Sequence, residues 1–93
     1  MLDQVIAAFD RKDYRTAARL LKELLQTSPK DPWVQFYVGR LHEVSGKGDL
    51  AEKVYRQLLR EVTNPKLAAQ TRQGLQRLNA MAQERRKQAI AQA

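Results

Sequence analysis

Two stretches of this chain carry the same apolar spacing at a separation of 34 residues. Ala17, Leu21, Leu24 and Leu25 fall on Ala51, Tyr55, Leu58 and Leu59, and Lys22 falls on Arg56. The spacing i, i+4, i+7, i+8 is that of one face of an α-helix. A repeat of this length limits the chain to an array of small units, each burying its apolar face against the next. No segment shows the alternating β-branched pattern of a strand.

Breakers recur in the same phase and divide the chain into five helices. The first spans Leu2–Asp10, with Leu2, Val5, Ile6 and Phe9 at helical spacing. Arg11-Lys12-Asp13 is a turn in which Asp13 serves as N-cap. The second helix spans Tyr14–Thr27, and its wide apolar surface suits packing on more than one side. Ser28-Pro29-Lys30 ends it. Asp31-Pro32 places a cap before a proline at the first helical position, a strong start signal for a third helix ending at Val44. Ser45-Gly46-Lys47-Gly48 is a turn in which Gly46 takes the left-handed conformation. Asp49 is expected to cap a fourth helix, Leu50–Val62. Asn64-Pro65 restarts the chain as a fifth, Lys66–Gln88, and residues 89–93 are expected to fray. On the fifth helix Thr71, Leu75, Leu78 and Ala82 share a face, with Gly74 and Met81 beside them.

Composition removes several classes of function. The 93 residues contain no cysteine and one histidine, which excludes a disulfide scaffold, a thiolate metal site, a cysteine nucleophile and a multi-histidine metal site. No apolar run reaches the ~18 residues of a membrane span, and the start lacks a basic region followed by an apolar stretch. A soluble cytoplasmic domain is expected. The end lacks a stop signal, as in a piece cut from a longer protein.

The net charge of +7 is uneven. Residues 1–65 carry 11 basic and 9 acidic side chains, whereas residues 66–93 carry six basic and one acidic. Such a segment is either a solvated helix face or an attraction for nucleic acid, an anionic surface or an acidic protein.

The 34-residue helix–turn–helix period resembles the tetratricopeptide repeat, and so do the residues. The family signature W-x2-L-G-x2-Y, A-x3-F, P reads here as Gln35-x2-Val38-Gly39-x2-His42 and Ala51-x3-Tyr55 in the second unit. In the first unit it reads as Ala17-x3-Leu21, followed by Pro29. The resemblance implies an all-α fold, with antiparallel helix–turn–helix units forming a short right-handed solenoid of five helices. Residues 1–31 form repeat 1 and 32–65 repeat 2, and 66–88 form a capping helix. Gly39 and Ala51 would sit where the helices of a unit cross. Gln35 and His42 depart from the signature. Pro65 falls two residues later than strict repetition from Pro29, which places Thr71, Gly74, Leu75 and Leu78 on the signature positions of a third unit.

Catalysis finds no constellation. Gly46-Lys47 would need a glycine five residues earlier and a Ser or Thr next to form a phosphate loop, and the chain has Leu41 and Gly48 there. His42 has no placed partner, and Asp10 and Asp13 read as turn and capping residues. The expectation is a non-catalytic protein–protein interaction module, with no cofactor and no metal.

In arrays of this family the first helix of each unit lines a concave groove. The repeat register assigns to that groove Leu2, Ile6 and Phe9, then Trp33, Phe36, Arg40 and Glu43, and, on the fifth helix, Arg72, Gln76 and Asn79. Aromatic anchors and arginines suit a peptide or partner helix, acidic in part. The family's two-carboxylate clamp is not matched, since Ile6 and Leu2 stand where its first lysine and asparagine would be. Leu2, Ile6 and Phe9 are also expected to leave an apolar patch open to a second copy in a homodimer. Nucleic acid is a weaker alternative, for no aromatics interleave the basic residues. A membrane is weaker still, because the apolar residues of the tail are mostly alanine.

Overall fold

The computed structural model describes the backbone of residues 1–92 and the side chains of residues 1–87. The helices are α1 (Leu2–Asp10), α2 (Tyr14–Thr27), α3 (Pro32–Val44), α4 (Gly48–Glu61) and α5 (Pro65–Gln92), and there is no strand among the described residues. α1 pairs with α2, α3 pairs with α4, and α5 packs on both α3 and α4. α5 continues past the expected end at Gln88, and Ala93 lies outside the described residues.

Two apolar clusters make one core. Val5, Leu20, Leu21, Leu24 and Val34 join α1 and α2 to α3. Phe36, Ala51, Tyr55, Leu58 and Leu67 join α3 to α4 and α5. Tyr37 packs against both, so burial is continuous along the array. Each unit alone would leave its apolar face in water, and stacking removes that face from solvent.

Local chemistry places most helix starts. The Asp13 carboxylate accepts from the Thr16 N–H (3.2 Å), and that of Asp31 accepts from the Trp33 N–H (2.9 Å). Asn64 Oδ1 accepts from the N–H groups of Lys66 and Leu67 (2.9 and 3.1 Å). These bonds satisfy donors that a helix cannot pair internally. α4 is different. It begins at Gly48, with Lys47 at the N-cap and no side-chain cap bond, so Asp49 is a first-turn residue and not the cap. Its carboxylate there still opposes the helix dipole favourably.

α1 and α3 end in the same way. In α3 the Lys47 N–H donates to His42 O (2.9 Å) around Gly46, whose φ is +77°. In α1 the Asp13 N–H donates to Ala8 O (2.8 Å) around Lys12, whose φ is +61°. Both are left-handed C-terminal caps one repeat apart, and the first unit builds its cap with a lysine where glycine would be unstrained.

The small residues act through Tyr55. A methyl group built on Gly39 would meet Tyr55 Cε1 at 2.6 Å, and one on Gly74 would meet Cε2 at 2.6 Å. The two edges of one buried ring therefore press on the backbones of α3 and α5. Glycine at these positions is a matter of space, and neither carries the left-handed φ of Gly46. The side chain of Gln35, at the signature tryptophan position, donates to Pro29 O (2.7 Å) and ties the start of α3 to the preceding loop.

Candidate functional site

The first, third and fifth helices turn one side to a common cleft of about 270 Å³. α1 contributes Ile6, Phe9 and Asp10. α3 contributes Phe36, Tyr37 and Arg40, and α5 contributes Gln70, Gln73 and Arg77. Every wall of the cleft is thus a first helix of a unit, held by the second helices behind it.

The aromatic residues are locked together. Phe9 packs on Tyr14 and Tyr37 with ring centroids 5.6 and 5.4 Å apart, and Phe36 meets Tyr37 edge-on at 5.1 Å. The Arg40 guanidinium lies 6.0 Å from the Phe9 centroid, near the limit of a cation–π contact.

One carboxylate organises the charges. Glu43 is 8% exposed at its side chain. Arg77 donates to it twice, from Nε at 2.8 Å and from a terminal nitrogen at 3.1 Å. The Tyr55 hydroxyl donates at 2.8 Å, and Arg40 approaches at 3.4 Å. Partial burial pushes the Glu43 carboxyl up, but the bonds from Arg77 and Tyr55 outweigh it and hold the group below the usual carboxylate range. Burial and the neighbouring Glu43 carboxylate push the Tyr55 phenol far above its ordinary value. Partial burial also raises Tyr37, with Asp10 adding to the shift and Arg40 opposing it. His42 lies outside this network, and burial lowers its pKa, with Lys47 adding to the shift, so it is neutral at pH 7.

Against the sequence expectation, Ile6, Phe9, Phe36 and Arg40 do meet at one cleft. Phe36 is nonetheless 4% exposed and belongs to the core, where it packs on Tyr55. Glu43 is an internal ion-pair hub and not an open groove residue. Leu2 and Phe9 pack against the first core cluster and Trp33 against the second. The expected open patch of Leu2, Ile6 and Phe9 is thereby reduced: Leu2 packs on the core and Tyr14 and Tyr37 flank Phe9, which leaves Ile6 and part of Phe9, both half-buried, at the cleft.

The α5 assignment needs a larger correction. Arg72, Gln76 and Asn79 do not line the cleft, and Gln76 and Asn79 instead face a groove shared with α4. The expected register assumed two inserted residues before Pro65. In fact Pro32 and Pro65 open their helices 33 residues apart behind matching caps, one residue short of the repeat. A three-residue error in register turns a helix by about 60°, enough to exchange one flank for another. Gln70, Gln73 and Arg77 occupy the flank assigned to the other three. Arg77 lies 34 residues from Glu43, too far apart for a local pairing rule to have joined them.

Among the described residues no cluster of His, Cys, Asp or Glu could hold a metal ion, and no helix is long and apolar enough to cross a membrane. No curated protein and no solved structure matches the chain. A family model does match, over residues 8–75, and its description is the tetratricopeptide repeat. This match covers most of the chain, from the end of α1 to the middle of α5, and agrees with the paired helices and with the glycine and alanine positions around Tyr55. The chain belongs to the tetratricopeptide repeat family, whose members generally mediate protein–protein interactions and are generally non-catalytic.

Proposed function

We propose that this chain is a non-catalytic protein-interaction module that holds a segment of a partner protein in the cleft between α1, α3 and α5. The observation that carries this reading is the convergence of Ile6 and Phe9 from α1, Tyr37 and Arg40 from α3, and Gln70 and Gln73 from α5 on one concave site. Ile6 and Phe9 offer an apolar seat. Gln70 and Gln73, nearly one turn apart on α5, offer amides to a partner main chain or polar side chain.

The charges refine the expected partner. Glu43 engages both Arg40 and Arg77, and Asp10 supplies a second carboxylate, so the formal charges of the cleft balance. A carboxylate-rich segment gains little there. The segment that fits best presents one apolar anchor flanked by hydrogen-bonding groups, either as an extended peptide or as a helix.

The test is capture from a cell lysate with nuclease present, at two salt concentrations. Wild type is compared with Ile6→Gln/Gln73→Glu and with Arg72→Glu, which lies off the cleft. One protein retained by wild type and Arg72→Glu, and lost by the cleft variant, is the expected result. Equal retention by the cleft variant would refute the assignment, as would recovery of nothing but nucleic acid that leaves at the higher salt.

A further inference from the structure

The second helices of the two units carry charge that the cleft does not use. On α2, Arg15, Arg19 and Lys22 fall within an arc of about 60°, opposite the buried face of Ala17, Leu20, Leu21 and Leu24. On α4, Lys53, Arg56 and Arg60 fall within an equal arc, opposite Ala51, Tyr55 and Leu58. Arg19 and Lys53 stand 34 residues apart, and so do Lys22 and Arg56. All six are exposed, and no residue of α2 or α4 lines the cleft. Both helices pack on α3, so the repeat sets two basic stripes side by side on the back of the array. Each stripe runs about 10 Å, nearly two helical turns.

Most of this charge is not neutralised by neighbours. Among the described residues Arg56 alone of the six is in an ion pair, with Glu52 at 2.8 Å. Asp49 stands in the first turn of α4, at the repeat position of Arg15. Glu23 and Glu61 are turned by about 70° or more from the centres of the stripes.

What the stripes lack selects the occupant. Gln26 completes the arc on α2, and no apolar or aromatic side chain falls within either arc. A basic helix face that binds a bilayer carries apolar residues to insert, and a protein partner is anchored by apolar side chains at the centre of the contact. A single strand needs aromatic platforms for its bases. The backbone of a duplex needs none of these, because cations alone hold it through release of its counterions. Four of the six cations are arginines, whose planar fork matches phosphate oxygens. We propose that the back face of α2 and α4 binds the phosphate backbone of a double-stranded nucleic acid without reading its sequence. This surface is separate from the cleft, and the proposal does not depend on the reading of the cleft.

The experiment titrates the full chain into a fluorescein-labelled 20-base-pair DNA duplex and follows anisotropy between 50 and 200 mM salt. Saturable binding is expected at 50 mM, alike for two duplexes of unrelated sequence. The logarithm of the association constant should fall linearly with that of the salt concentration, with a slope of about −4, as for about four to five phosphate contacts. Arg19→Glu/Lys53→Glu, at exposed positions one repeat apart, should weaken binding by about tenfold or more and make the slope shallower by about 2. Arg85→Gln/Arg86→Gln should change binding far less, which separates the back face from the basic end of α5. Ile6→Gln should change nothing, which separates it from the cleft. Circular dichroism checks that each variant stays helical. The proposal falls if the duplex does not bind at 50 mM salt, or if the slope is shallower than about −1. It falls if the Arg85/Arg86 variant abolishes binding and the Arg19/Lys53 variant does not. It falls too if phosphatidylserine vesicles or poly-glutamate bind as tightly as the duplex, since the face would then suit a bilayer or an acidic protein equally.

Discussion

Replacing Gly74 by alanine adds a single methyl group where the array has no room for one. The new Cβ would lie 2.6 Å from Tyr55 Cε2 and 2.8 Å from Cζ, well inside van der Waals contact. In an open helix the change would stabilise by about 0.5–1 kcal/mol, because glycine loses more backbone entropy on folding. Here the ring would have to move, and its opposite edge faces Gly39, where an added Cβ would likewise meet it at 2.6 Å. Its hydroxyl is tied to Glu43 at 2.8 Å, so sliding along its axis breaks a charge-assisted bond. α5 must therefore shift, and overpacking of this kind costs about 1–3 kcal/mol. With both edges blocked the upper part of that range applies, and the net loss is about 2 kcal/mol. For a chain of this size the melting temperature should fall by roughly 8–16 °C. Urea unfolding followed by circular dichroism measures the loss directly. Tyr55→Leu should remove the obstruction, so Gly74→Ala in that background should be milder by about 1–2 kcal/mol. Wild-type stability in Gly74→Ala, or strict additivity in the double variant, would refute the ring-between-glycines account.

Acid should act through Glu43. Its folded pKa lies below the ordinary value, so its contribution is present above the ordinary carboxylate range and fades as pH falls through the folded value. Urea midpoints should drop more steeply below about pH 4.5 in wild type than in Glu43→Gln, which should itself be weaker at pH 7 by about 1–2 kcal/mol; parallel pH profiles would contradict the hub. Lys12→Gly should stabilise by about 1 kcal/mol by relieving a left-handed lysine, and Gly46→Ala should destabilise by about as much; both are read from chemical unfolding.

Helix positions were legible because Asp13, Asp31-Pro32 and Asn64-Pro65 state them in local chemistry. Asp49 misled because capping residues also favour the first turn, and Lys47 caps without a side-chain bond. The left-handed cap of α1 was hidden because a lysine occupies it. Ile6, Phe9 and Arg40 could be assigned from repeat register, since α1 and α3 keep that register. The α5 flank could not, because its phase depends on how many residues cross from Glu61 to Pro65, and only the docked helix reveals it. Glu43 looked like a groove residue because its partners, Tyr55 and Arg77, lie 12 and 34 residues away, beyond any local pairing rule.

The central claim is that the flank of α5 carrying Gln70, Gln73 and Arg77 faces the partner, and that the flank carrying Arg72 does not. A photo-crosslinking amino acid placed at position 73, and separately at position 72, in the otherwise native chain tests this within cell lysate. One protein joined from position 73 and absent from position 72 is the predicted result. The same protein joined from position 72 alone would contradict both the register and the cleft.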